Sequence, residues 1–148
     1  MKLIAVFKNM NDQYTSLLQP LFQSYSCRSG EIVIQQGKPV DYLYFIVAGK
    51  VEISFKPYDG SAITVSHVGK DGLFGWSALL GSPTYTSSVR AIEDLETVRI
   101  RGTDLRKLCA EHPEAGKEIL EQIANVASSR WNNAHEQVKS MLLFGMQQ

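Results

Sequence analysis

Cysteine is scarce in this chain. Only Cys27 and Cys109 occur among 148 residues, far apart and without the C-x-x-C spacing of zinc or thiol-exchange sites. A small disulfide-stapled scaffold would need more, so both read as buried or half-buried thiols of the core. The three histidines, His67, His112 and His135, are equally scattered. They give neither a metal-ligand cluster nor a nucleophile with its base and orienting acid. No catalytic residue, metal or cofactor is therefore expected, and the chain does not read as an enzyme. Net charge is also lacking, because fifteen Lys and Arg balance fifteen Asp and Glu. That argues against a general polyanion binder, which would concentrate Lys and Arg. No apolar run reaches membrane length, and Met1–Phe7 is too short for a signal-peptide core. The expected setting is the cytoplasm, with no membrane partner.

The chain does contain a clear change of texture along its length. One domain over residues 1–148 is expected from size alone. "DQYTSLLQPLFQ" places Leu17, Leu18, Leu21 and Phe22 at helical spacing, with Pro20 ending or kinking the helix. From about 30 to 101 the pattern is short β-runs rich in Val, Ile, Tyr, Phe and Thr: "EIVIQQG", "DYLYFIVAGKVEISF", "AITVSHVG", "SSVRAI" and "ETVRIR". Turn signals separate them at Gly30, Gly37, Gly49, Gly60, Gly69 and Gly72. Short strands at that spacing predict a mainly β fold with flanking helices, a jelly-roll barrel rather than a parallel sheet.

After Gly102 the texture turns helical, over about 103–142. "TDLRKLCAEH" offers Thr103 or Asp104 as a cap, and Pro113 suits the first turn of a following helix. In that second helix one seam runs Leu120, Ala124, Ala127, Trp131, Ala134, Val138, Met141, in steps of four and three. At 1.5 Å per residue the seam extends about 33 Å. Two readings stand: the stripe lies on the barrel, or it pairs with a second copy to make a homodimer. Three alanines would permit close approach in such a pair.

One stretch invites a chemical reading. In "GLFGWSALLGSPTYTSSVRA", Gly72–Ala91, Gly75 lets backbone approach a ligand, and a helix opening at Trp76 would present unpaired N–H groups. Those groups and the helix dipole favour an anion by roughly 0.3–1 kcal/mol per charge. Thr86, Ser87 and Ser88 could add hydroxyls from a facing wall, or simply form a solvated strand face. The candidate pocket is bounded by Gly75, Trp76, Ser77, Ala78 and Leu79 on one side. Tyr85, Thr86, Ser87 and Ser88 bound the other.

The order of elements and several local motifs resemble the cyclic nucleotide-binding domain, the ligand module of catabolite activator protein, protein kinase A regulatory subunits and gated channels. "GEIVIQQGKPVDYLYFIVAGKVEI" resembles its opening strands, "FGWSALLGSPTYTSSVRA" its phosphate-binding cassette, and "TDLRKLCAEHPE" its hinge helix. The resemblance covers nearly the whole chain and implies a double-stranded β-helix barrel with a role in signal transduction. It also implies that Arg130 and Trp131 lie where the long helix reaches over the pocket.

The cassette of members that bind cyclic AMP has Glu for the ribose hydroxyl and Arg for the cyclic phosphate. Here those positions hold Trp76 and Tyr85. Tyrosine offers one neutral hydroxyl where arginine offers a charged planar fork. Tryptophan accepts no conventional hydrogen bond. At about 1.5–3 kcal/mol per charged hydrogen bond, the two losses weaken cyclic AMP by on the order of 10²–10⁴. Arg90 reads as a surface residue rather than a substitute anchor.

Three functions remain: a sensor for a small molecule other than ordinary cyclic AMP, a ligand-free dimerising scaffold, or a cyclic nucleotide receptor with rearranged anchors. No DNA-reading element follows the long helix before Gln148. Direct DNA binding is therefore not expected, and the output lies either on a partner effector protein or on an effector domain outside this sequence.

Overall fold

The structure is a computed structural model and describes residues 7–8, 10–57, 60–75, 78 and 83–126. Helix α1 (Asp12–Leu18) starts at Asn11, whose Oδ1 accepts the Gln13 N–H at 2.8 Å. Pro20 stops it as expected, and a single 3₁₀ turn, Gln19–Leu21, leads into the strands. Eight strands follow: β1 (Gln23–Cys27), β2 (Ile32–Ile34), β3 (Tyr42–Ala48), β4 (Val51–Phe55), β5 (Ile63–Val68), β6 (Leu73–Phe74), β7 (Ser88–Ala91) and β8 (Leu95–Arg101). They form two antiparallel four-stranded sheets, ordered β1-β8-β3-β6 and β2-β7-β4-β5. This is the expected jelly-roll-like, mainly β architecture. The barrel begins earlier than residue 30, because β1 pairs with β8 along its whole length. Its sequence, "QSYSC", is polar and short, so neither length nor apolar content announces a strand.

Strand β3 explains how the layers stack. Leu43, Tyr44, Phe45 and Ile46 are consecutive and all buried, the pattern of a strand covered on both faces. Leu43 and Phe45 join Val98 and Ile100 of β8 in a cluster with Phe7, Leu18, Leu105, Ile119 and Ile123. This cluster lies under the helices. Tyr44 and Ile46 point the other way, into a second cluster with Ile34, Val51, Phe74, Tyr85, Val89 and Leu95, between the two sheets.

Helix α2 (Gly102–Glu111) begins one residue before the expected start, capped by Arg101 without any side-chain bond; Thr103 and Asp104 sit inside the first turn. Residues 113–126 form helix α3 as far as they are described. Its buried stripe is Ala115, Ile119 and Ile123, with Val126 packed against it. Each of the two isoleucines contributes about 1.5–3 kcal/mol on burial. The two described members of the heptad seam are on another face: Leu120 is 38% exposed and Ala124 is also exposed. The reading in which this seam lies on its own barrel therefore fails at both positions. Ala127, Trp131, Ala134, Val138 and Met141 lie outside the described residues.

Candidate ligand-binding site

The segment Gly72–Ala91 starts from a two-residue strand, β6, held against Tyr44 and Phe45 of β3. Gly75 then turns with φ +90°, and a Cβ there would lie 2.7 Å from the Tyr42 carbonyl oxygen. Only glycine meets both demands. Ala78 is helical and wholly buried, and its N–H bonds the Gly75 carbonyl at 3.0 Å. The Ala78 carbonyl accepts from Arg106 Nη1 at 2.7 Å. Gly102 packs so close that a Cβ would sit 2.8 Å from the same oxygen. Helix α2 is thus joined to this segment at one residue, by a charged hydrogen bond and by backbone contact.

The return of the segment is tied to the β2–β3 connection. The Gly37 N–H bonds the Tyr85 carbonyl at 2.9 Å, and the Tyr85 N–H bonds the Lys38 carbonyl at 3.0 Å. Tyr85 is 8% exposed, and its hydroxyl accepts from the N–H groups of Asp41 (3.1 Å) and Tyr42 (2.9 Å) while donating to the Tyr42 carbonyl (2.9 Å). That is the full capacity of a phenol. Ser88 Oγ accepts the Gln36 N–H at 2.9 Å. Thr86 is exposed, Ser87 and Ser88 are half-buried, and Arg90 is exposed as expected. Gly75 and Tyr85 both approach the Tyr42 backbone. Trp76, Ser77, Leu79, Arg130 and Trp131 lie outside the described residues.

A second feature was absent from the sequence reading. Arg99 of β8 stands opposite Tyr44 in the sheet and faces the space between the sheets. Its guanidinium lies 3.9 Å from the Tyr42 ring centre, 4.9 Å from that of Tyr25 and 5.9 Å from that of Tyr44. Nη1 donates to the Tyr44 hydroxyl at 3.5 Å, and the buried Nε has no hydrogen-bond partner among the described residues. Burial pushes the Tyr44 hydroxyl up to about 12 even though Arg99 pulls it down; Tyr25 is raised for the same reason. Burial likewise raises the thiols of Cys27 and Cys109 above their ordinary range. A cavity of about 400 Å³ opens beside this group, lined among others by Ile32, Ile34, Lys38, Tyr42, Tyr85 and Arg99. In "ETVRIR" the apolar alternation is carried by Val98 and Ile100, so Arg99 reads as solvent-facing. It faces inward because a second sheet covers that side.

No helix among the described residues is long and apolar enough to cross a membrane. Comparison with known proteins agrees with the geometry. The cyclic nucleotide-binding domain model matches residues 25–112. A CRP-like cAMP-activated global transcriptional regulator of Mycobacterium tuberculosis is 27% identical over 129 residues, covering 87% of this chain. The chain spans 58% of that regulator's length. Among solved structures, a cyclic nucleotide-binding domain from Methylobacillus flagellatus aligns with a TM-score of 0.79 at 19% identity, over 95% of this chain and 78% of the other. The regulatory subunit of a cAMP-independent protein kinase A from Trypanosoma brucei aligns at 0.70 and 19% identity, over 92% of this chain and 47% of that one. The structural likenesses establish the shared fold, and the match over more than half of the chain establishes descent. This chain belongs to the cyclic nucleotide-binding domain family.

Proposed function

We propose that the chain is a regulatory sensor module, without catalysis of its own, whose ligand is a small molecule other than ordinary cyclic AMP. The observation that carries this is Tyr85. It occupies the place that the family's cassette gives to the phosphate-binding arginine, and its hydroxyl is committed to the backbone of Asp41 and Tyr42. It therefore brings neither charge nor a spare donor to an anion at the helix start. The glycine turn at Gly75 is kept, which maintains the frame of the site. A relative in fold is described as cAMP-independent, which supports use of the frame without that ligand. Output would leave through Ala78: displacement of its carbonyl pulls on Arg106 and on the start of α2. Such output would reach a partner effector protein in the cytoplasm.

The alternative is a dimerising scaffold without a ligand. It is favoured by Leu120 and Ala124, apolar and exposed beside the buried stripe of α3. Thermal melts of the full chain with cyclic AMP, cyclic GMP and a panel of cellular metabolites separate these readings. At 1 mM, cyclic AMP should stabilise the chain by less than about 0.4 kcal/mol, the limit for a dissociation constant weaker than 1 mM. A panel member that raises the melting temperature in a saturable manner supports the sensor. Saturable stabilisation by cyclic AMP itself overturns the reading in favour of a nucleotide receptor with rearranged anchors. No response to any compound, with a dimer that Leu120→Asp dissociates, overturns it in favour of the scaffold.

A further inference from the structure

Arg99 is a cation set among aromatic rings. Among the described residues it has no carboxylate partner; its contacts are three tyrosine rings and one long hydrogen bond to the Tyr44 hydroxyl. Aromatic faces offset part of the cost of removing a guanidinium from water. They supply no acceptor for its N–H groups, and Nε is buried with none. Such a group costs stability unless something completes it. Other atoms of the Arg99 side chain line the cavity of about 400 Å³, which falls in the size range of small-molecule sites. Tyr42, Tyr44, Ile32 and Ile34 give that cavity flat and apolar walls. Lys38 and Asp41 are both exposed lining residues, one of each sign. The Asp41 backbone N–H is already bonded to Tyr85.

We propose that this cavity is a second ligand site, distinct from the Gly75–Ser88 segment, for a small organic anion bearing one carboxylate or phosphate on a flat unsaturated body. The anion meets the open edge of the Arg99 guanidinium, whose planar fork matches two oxygens at once. The flat body lies along Tyr42 and the apolar wall of Ile32 and Ile34. Lys38 adds attraction at the surface, where screening keeps its share small. Tyr85 is a shared wall: its ring lines this cavity while its backbone carries the return strand of the other segment. The proposal does not depend on what the Gly75 turn binds.

The test is a titration of the ¹⁵N-labelled full chain, followed at the arginine Nε–H and backbone amide resonances. The probes are benzoate, phenyl phosphate and inorganic phosphate. Benzoate or phenyl phosphate should move the Arg99 Nε–H saturably, and which of the two acts at lower concentration tells carboxylate from phosphate. Arg99→Gln should weaken binding about ten- to a hundredfold, the value of one or more charged hydrogen bonds. Lys38→Gln should weaken it about two- to fivefold, as for an exposed charge. If Arg99→Gln fails to fold, Arg99→Lys, which keeps the charge but loses the fork, should still weaken it at least severalfold. Three outcomes overturn the proposal: no saturable shift at Arg99, binding that persists unchanged in the Arg99 variants, or shifts confined to Gly75 and Ala78. The last would place the anion at the other segment.

Discussion

Strands β3 and β8 each present two buried faces, and those faces differ in kind. Toward the helices they show Leu43, Phe45, Val98 and Ile100, in a cluster of apolar side chains with no polar group to satisfy. Toward the other sheet Ile46 and Leu95 join a second apolar cluster, and beside them the same face carries Tyr42, Tyr44, Thr97 and Arg99. There every hydroxyl needs a partner: Thr97 Oγ1 donates to the Tyr25 carbonyl at 2.8 Å, and Tyr44 meets Arg99. The Tyr44 ring also stacks on Phe74, with centres 4.8 Å apart. One pair of strands thus supplies a dry face that holds the helices and a polar face that opens onto a cavity. The lesson is that the packing of the helices and the lining of the cavity are separated here by one residue of alternation, not by distance along the chain.

That contrast can be broken most forcefully on the dry side. Phe45→Ala should cost about 3–5 kcal/mol of stability, because a ring packed against Phe7 leaves a hole that the helices cannot fill. Chemical denaturation measures it, and a loss below about 1 kcal/mol would contradict the division of faces. On the polar side, Tyr85→Phe keeps the ring and removes one oxygen. Two backbone N–H groups lose their acceptor, so the expected cost is about 1–3 kcal/mol. The smallest effect is one of pH. Tyr44 holds its proton more tightly in the folded chain, up to about 12 against an ordinary 10. Its contribution is therefore present below pH 10 and is lost as pH rises from 10 to about 12. Tyr44→Phe should flatten that alkaline decline in denaturation curves, and Phe45→Ala should leave its slope unchanged.

Much of this was legible in the residues. Glycines at 30, 37, 49 and 75 mark turns, and all four have positive φ in the structure. Pro20 ends α1 where expected. The β-rich runs became strands because branched and aromatic side chains fit a half-buried pleat. Other features were not legible. Strand β1 is too short and polar to declare itself, and it forms because β8 offers it an edge. The stripe that α3 buries is Ala115, Ile119 and Ile123, whereas the conspicuous heptad residues Leu120 and Ala124 stay exposed. Periodicity finds apolar stripes, but it does not say which neighbour each one meets.

The sequence by itself determined the barrel, its turns and its family, because these are properties of residue type and local spacing. Tertiary structure alone decided where two side chains spend their polar atoms. The Tyr85 hydroxyl went to backbone 43 and 44 residues away in sequence. Arg99 was turned inward among tyrosines from β1 and β3. Burial and hydrogen bonding across layers depend on what lies opposite, and alternation along one strand carries no record of the sheet that covers it.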